Sequence, residues 1–186
     1  MTVLRLPVLL GLLMALGSCG YRVGLQLPEG QRRIGVELFA NDSLQPDLER
    51  GLHEALTRSL RDRTEAELVR PSRASLVVRG RVLDYSRRGG IRSPQNRWLE
   101  SAVTISAEAQ LIQVSDGKQL AQARGGTQVG FSFGVEGGEV GAAQRALDNL
   151  ADQLILELFI RAERSRRGQK ANRGLDDEPL LERAGY

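Results

Sequence analysis

The chain has 186 residues, enough for one core with appendages and too few for a multidomain enzyme. Hydrophobic residues at 41% and charged residues at 26% match ordinary globular usage and exclude a disordered chain or a polytopic membrane protein. One His and one Cys rule out a thiol or imidazole metal cluster and an intramolecular disulfide, and four Phe, three Tyr and one Trp leave few platforms for stacking bases. No metal, other cofactor or nucleic-acid partner is therefore expected. The net charge of +3 is unevenly spread: residues 19–160 carry 18 basic and 18 acidic side chains, whereas residues 161–173 carry six basic against one acidic. The body is neutral and the segment after it is basic.

Residues 1–18 read as a secretion signal. Arg5 precedes an apolar run from Leu6 to Leu16, too short for the ~20 residues that cross a bilayer, and small residues follow. Leu16-Gly17-Ser18-Cys19 resembles the lipobox of bacterial lipoproteins, in which the cysteine is acylated and becomes the first residue of the mature chain. Cys19 is thus the expected lipidation site and membrane anchor, with residues 19–31 a linker. Gly20 in place of Asp is compatible with export to the outer membrane, by resemblance to other bacterial lipoproteins.

The folded domain is expected over residues 32–165. Arg32 to Ala40 reads as a strand, in which Ile34, Val36 and Leu38 alternate with Gly35, Glu37 and Phe39, and Asn41-Asp42-Ser43 turns the chain. Pro46 suits a first helical turn, and Leu48, Leu52, Ala55, Leu56, Ser59 and Leu60 form the apolar stripe of a helix on which Glu54 and Arg58 are spaced to pair. Ala66 to Arg70 is a short edge piece ended by Pro71. A long strand, Ala74 to Ser86, places Leu76, Val78, Gly80 and Val82 on one side. The loop Arg87 to Arg97 leads to a strand from Trp98 to Val114, in which Leu99, Val103, Ile105, Ala107, Ala109 and Leu111 alternate with polar residues. Ser115-Asp116-Gly117 then turns it into a last strand, Gln119 to Phe133. After glycine-rich Gly134 to Gly141, a second amphipathic helix runs from Ala142 to about Arg164. Residues 166–186 lose the apolar period and read as a polar, disordered tail. The order β-α-β-β-β-α implies an α+β fold, a two-layer sandwich with two helices packed on one face of a mixed sheet of about four strands.

No constellation for catalysis is found. His53 lacks a second imidazole and reads as a partly exposed helical residue, and Gly134 to Gly141 has no Lys followed by Ser or Thr to cradle phosphate. Arg87, Arg88, Arg92 and Arg97, with Arg79 and Arg81 on the adjoining strand, form either a guanidinium cluster for phosphate or a solvated loop that keeps the sheet end soluble. The basic run Arg161 to Arg173 reads as a complement to the helix dipole, with attraction to anionic head groups as the alternative.

Cys19-Gly20-Tyr21-Arg22, then Ile34-Gly35-Val36-Glu37-Leu38-Phe39-Ala40-Asn41 before an amphipathic helix, then Arg73-Ala74-Ser75-Leu76-Val77-Val78-Arg79-Gly80-Arg81-Val82-Leu83-Asp84-Tyr85 resemble the lipopolysaccharide-assembly lipoprotein family LptE, over roughly residues 16–160. The resemblance implies a non-enzymatic, lipid-anchored outer-membrane protein that plugs and helps assemble the β-barrel LptD and takes part in lipopolysaccharide transport. Its partners would be an LptD-like barrel and lipopolysaccharide. Arg87, Arg88, Arg92 and Arg97 are the candidate contacts to lipopolysaccharide phosphates, a local inference from their clustering. The strand-Phe-Asn-helix segment is shared with other envelope lipoproteins, so an activator of a peptidoglycan synthase or a secretion-channel component is the alternative.

Overall fold

The computed structural model describes residue 27, residues 31–135 and residues 137–176, with side chains to residue 169. The signal peptide, Cys19 with most of its linker, and residues 177–186 lie outside the described residues. The elements in chain order are β1 (Arg33–Val36), β2 (Ala40–Asn41), α1 (Leu48–Arg63), β3 (Glu67–Leu68), β4 (Leu76–Gly89), β5 (Glu100–Gln113), β6 (Gln119–Ser132) and α2 (Gly138–Asp176), with one 3-10 turn at Pro71–Arg73. The strands form one mixed sheet in the order β3-β1-β4-β5-β6, with β2 also paired to β4. β1 is parallel to β3 and β4, β2 is parallel to β4, and β4-β5-β6 is an antiparallel meander. Both helices cover one face, as the element order implies.

The sheet has six strands where about four are expected, because two of them are very short. The segment Arg32 to Ala40 is broken into β1 and β2, and the break reverses its alternation. Phe39, which the alternation groups with Gly35 and Glu37, is 2% exposed, while Leu38, grouped with Ile34 and Val36, is 63% exposed. The irregular step lets an aromatic ring enter the core beside Gly80, where a Cβ would lie 2.7 Å from Phe39 Cε2 and 2.0 Å from the Glu108 carbonyl oxygen. Only glycine fits between ring and backbone there.

All six stripe residues of α1 are buried. The helix starts after Pro46 rather than through it, because Asp47 takes a left-handed conformation (φ 64°) just before the first turn. Arg58 pairs across to Asp148 of α2 (2.6 Å) instead of with Glu54, so the charge on α1 joins the two helices. Asp152 makes the stronger link: its Oδ1 accepts from Ser59 Oγ (2.7 Å) and Arg63 Nε (2.9 Å), and its Oδ2 from Arg63 Nη2 (2.5 Å). The Arg63 fork holds the Asp152 carboxyl below its ordinary pKa, against the opposing effect of burial.

The core lies between sheet and helices. Val103, Ile105, Ala107, Ala109 and Leu111 of β5 meet Leu150, Leu154, Ile155 and Leu158 of α2, all at most 1% exposed. Helix α2 begins four residues earlier than the apolar pattern, inside the glycine segment. It continues to Asp176, through ground expected to be disordered. Its extension needs no apolar face, because Arg161 pairs with Glu157, and Arg166 (3.0 Å) and Arg167 (2.9 Å) both pair with Glu163, at helical spacings of three and four.

One irregularity decides which side chains share a face. Val82 pairs with Ala107 but Asp84 with Ser106, so Leu83 is an extra residue, a bulge, in β4. Before it the even residues face the helices; after it Tyr85 and Arg87, opposite Ile105 and Val103, do so. Arg79, Arg81 and Arg88 fall on the open face.

Candidate functional site: an arginine-rimmed apolar tip

The ends of β4 and β5, the loop joining them, and the connection from β6 to α2 meet at one end of the molecule. The loop closes as a hairpin extension. Arg92 and Trp98 form an isolated antiparallel bridge, the Leu99 amide donates to the Ile91 carbonyl (2.8 Å), and Ser93 to Asn96 make the turn, with Asn96 in the left-handed region (φ 62°). Pairing rather than disorder thus positions the loop arginines.

Each of the four plays a distinct part. The Arg92 guanidinium lies 3.7 Å from the centroid of the Trp98 ring and donates to Asn96 Oδ1 (2.6 Å), which fixes the ring and the cation together. Arg87, on the helix side, donates to Glu139 Oε2 (2.8 Å), while the Tyr85 hydroxyl donates to Glu139 Oε1 (2.8 Å). Arg88 points to the opposite face, and Arg97 sits at the loop. Both are exposed, and among the described residues neither has an ion-pair partner. Arg79 and Arg81 do not join the cluster: nine residues of strand separate Arg79 from Arg88, about 30 Å. Arg81 is held by Asp42 (3.1 Å) and Glu108 (3.2 Å).

Electrostatics at the tip follow from this geometry. The hydrogen bond from Tyr85, followed by that from Arg87, lowers the pKa of Glu139 below the ordinary carboxylate range. Burial, and then the bond to Glu139, pushes the Tyr85 phenol up to about 12. Glu139 therefore carries its charge at neutral pH and neutralises Arg87, leaving Arg88 and Arg97 as the cations most available to an anion.

The tip is also apolar. Trp98 closes over Gly89, where a Cβ would stand 2.2 Å from the ring. With Arg87, Ser101 and Phe133 it lines a cavity of about 290 Å³. Phe133 packs edge-to-face on Phe131 (centroids 5.2 Å) yet keeps 45% of its surface exposed, beside exposed Ile91, Leu99, Val135 and Val140. Sequence reasoning identified the arginines and missed this apolar ground. A lone Trp directly after an Arg-rich loop, and a Phe directly before a glycine turn, were the available signals. Chemically, apolar surface rimmed by guanidinium groups suits an amphiphile with anionic head and acyl body. His53, which the sequence reads as an ordinary helical residue with no role, lies half-buried on α1, and its Nδ1 is buried with no hydrogen-bond partner. Among the described residues no group of His, Cys, Asp and Glu is placed to hold a metal, and no helix is long and apolar enough to cross a membrane.

Two helices on one face of a mixed sheet, with the connections at one end built into an exposed tip, define a small α+β domain of a kind seen elsewhere. Protein XCC0632 from Xanthomonas campestris shares it at 14% identity and a TM-score of 0.55, covering 80% of this chain and 93% of that one. A PelC dodecamer subunit from Paraburkholderia phytofirmans does so at 18% identity and a TM-score of 0.50, over 70% and 93%. These likenesses show the fold alone. No curated protein matches the sequence. The family model for lipopolysaccharide assembly, LptE, matches residues 31–161, and the chain belongs to that family of non-catalytic lipoproteins.

Proposed function

We propose that this chain is an outer-membrane lipoprotein, anchored through Cys19, that plugs and helps assemble an LptD-like β-barrel and takes part in passing lipopolysaccharide to the outer leaflet, without catalysis of its own. The observation that carries this reading beyond the family is the tip, where Arg87 lines one cavity with Trp98 and Phe133, Arg92 stacks on Trp98, and Arg88 and Arg97 stand exposed at the same end of the sheet. Lipopolysaccharide presents phosphates on an acylated disaccharide, which matches guanidinium forks beside apolar side chains. In this reading Arg88 and Arg97 take phosphate directly, Arg92 holds Trp98 against the acyl region, and Arg87 joins when ligand phosphate competes with Glu139.

Two further features support the plug. The open face of β4-β5-β6 carries Arg79, Arg81, Glu108, Gln110, Gln122 and Arg124, a polar surface suited to the wetted, hydrogen-bonding interior of a barrel. The tip lies opposite the end where β1 starts, and in this reading that end is the one nearer the Cys19 anchor.

The test is binding of lipopolysaccharide to detergent-solubilised full-length protein. Arg88→Gln with Arg97→Gln is expected to weaken binding on the order of a hundredfold or more, at about 1.5–3 kcal/mol per charged hydrogen bond lost. Unchanged affinity at low salt removes the tip from the ligand path. Co-purification with a large outer-membrane barrel tests the partner; cross-linking to a peptidoglycan synthase or a secretion channel instead would overturn it.

A further inference from the structure

The basic run after residue 160 is the sequence feature that neither fold nor tip absorbs. A complement to the helix dipole is confined to the last turn of a helix. Helix α2 ends at Asp176, so Arg161, Arg164, Arg166 and Arg167 lie nine to fifteen residues before its end, beyond the range of that effect. Nor do they serve the core. Ala162 is the last buried side chain among the described residues, and the remaining 14 residues carry the helix about 20 Å further. Arg164 and Arg167 are exposed, and Glu157 and Glu163 are the acidic side chains paired within this stretch.

Topology decides where the overhang lies. Helix α2 leaves the end of β6 at the tip and packs back along it, Gln153 lying against Gly125 at mid-strand. Its far end therefore lies with the starts of β1 and β4 and with the β5-β6 turn, opposite the tip. Exposed Arg32, Arg33 and Arg73 lie at that same end, with Arg61 and Arg63 at the finish of α1. This is also where the chain arrives from Cys19. Thirteen residues separate Cys19 from Arg32, a covalent reach of at most about 45 Å.

We propose that the overhanging C-terminal part of α2, with the basic side chains around the start of β1, is a contact surface for anionic phospholipid head groups of the leaflet that holds the anchor. Two attachments of different chemistry then act on one end of the molecule: an acyl anchor that confines it to the membrane, and a cationic helix that fixes its tilt. The anchor keeps the basic end within one tether length of the surface, so each Arg acts at high effective concentration of head groups. The geometry rests on the reading of Cys19 as lipidated, and the experiment separates the two.

Full-length lipidated protein carrying a fluorophore on Ser165→Cys is reconstituted into vesicles of phosphatidylcholine alone or with phosphatidylglycerol, each with a head-group quencher. Flotation with neutral vesicles reports the anchor, and failure there sinks the lipidation reading alone. Quenching at position 165 reports the proposal. It is expected in anionic vesicles, to vanish in neutral ones, and to fall as salt rises. Replacing Arg164, Arg166 and Arg167 by Gln is expected to lower the contact equilibrium on the order of a hundredfold, at ~1 kcal/mol per charge, and the corresponding Lys variant to restore it. Helicity by circular dichroism checks that the Gln variant keeps α2. Quenching equal in both lipids overturns the proposal, as does quenching that appears only when the barrel partner is co-reconstituted, which would assign the surface to a protein.

Discussion

Glu139 is the residue on which the tip turns. It stands in the first turn of α2, accepts from a phenol and a guanidinium on β4, and so ties a helix start to a strand end 52 residues away in sequence. Because its pKa is lowered in the folded state, it contributes stability above the unfolded carboxylate value that is lost as pH falls through the folded one. Tyr85 acts in the opposite sense: its raised pKa contributes stability fully present below pH ~10 and lost as pH rises toward about 12. Glu139→Gln is therefore expected to flatten part of the acid limb of a urea-stability profile and to move the Tyr85 phenol, followed by NMR, back toward its ordinary value. Burial, the larger cause, keeps part of that shift. Gly80 is the other decisive position. Gly80→Ala sets a Cβ against the Glu108 carbonyl and the Phe39 ring, and a loss of about 1–3 kcal/mol in chemical denaturation is expected, with overpacking as the cause.

At the scale of elements, helix α2 divides at Ala162 into a structural half and a surplus half. Leu150, fully buried against the sheet, anchors the first: Leu150→Ala is expected to cost about 2–5 kcal/mol by urea titration, the range for a large-to-small change in a packed core. A stop codon after Gln169 should alter stability by less than about 1 kcal/mol, since among the described residues the helix beyond Ala162 carries exposed ion pairs and no buried side chain. A cooperative loss of several kcal/mol on that truncation would show that the extension packs. The meander has its own logic. The bulge at Leu83 shifts the sequence period so that odd residues beyond it face the helices; removing Leu83 should close the bulge with Asp84 still opposite Ser106 and leave Tyr85 and Arg87 bonded to Glu139, with the Tyr85 phenol unmoved by NMR.

The whole molecule has two ends with different chemistry: a tip where apolar surface meets unpaired arginines, and a basic end where the chain enters and α2 overhangs. Its sequence displayed the α1 stripe, the alternation of β5 and the β5-β6 turn plainly, because each of those periods is set by contact with one continuous core. The same period, carried through the segment from Ile34 to Asn41, misplaced Leu38 and Phe39, since one irregular step inverts every later side chain. The extension of α2 escaped detection for the opposite reason: surface ion pairs sustain it, and they leave no apolar rhythm.

Composition, the motifs from Ile34 to Tyr85 and the order of strands and helices pointed to an α+β domain of the LptE family, whose model matches residues 31–161. Those features are local, and each follows from the chemistry of neighbouring residues along the chain. Which arginines stand together was settled only by tertiary structure. A bulge set Arg87 on the helix face and Arg88 on the open one, Glu139 arrived from a distant helix to claim Arg87, and Trp98 folded over Gly89 on that same side to give Arg87 an apolar neighbour. Such pairings depend on register and on which faces meet across the sheet, distances that linear spacing does not encode.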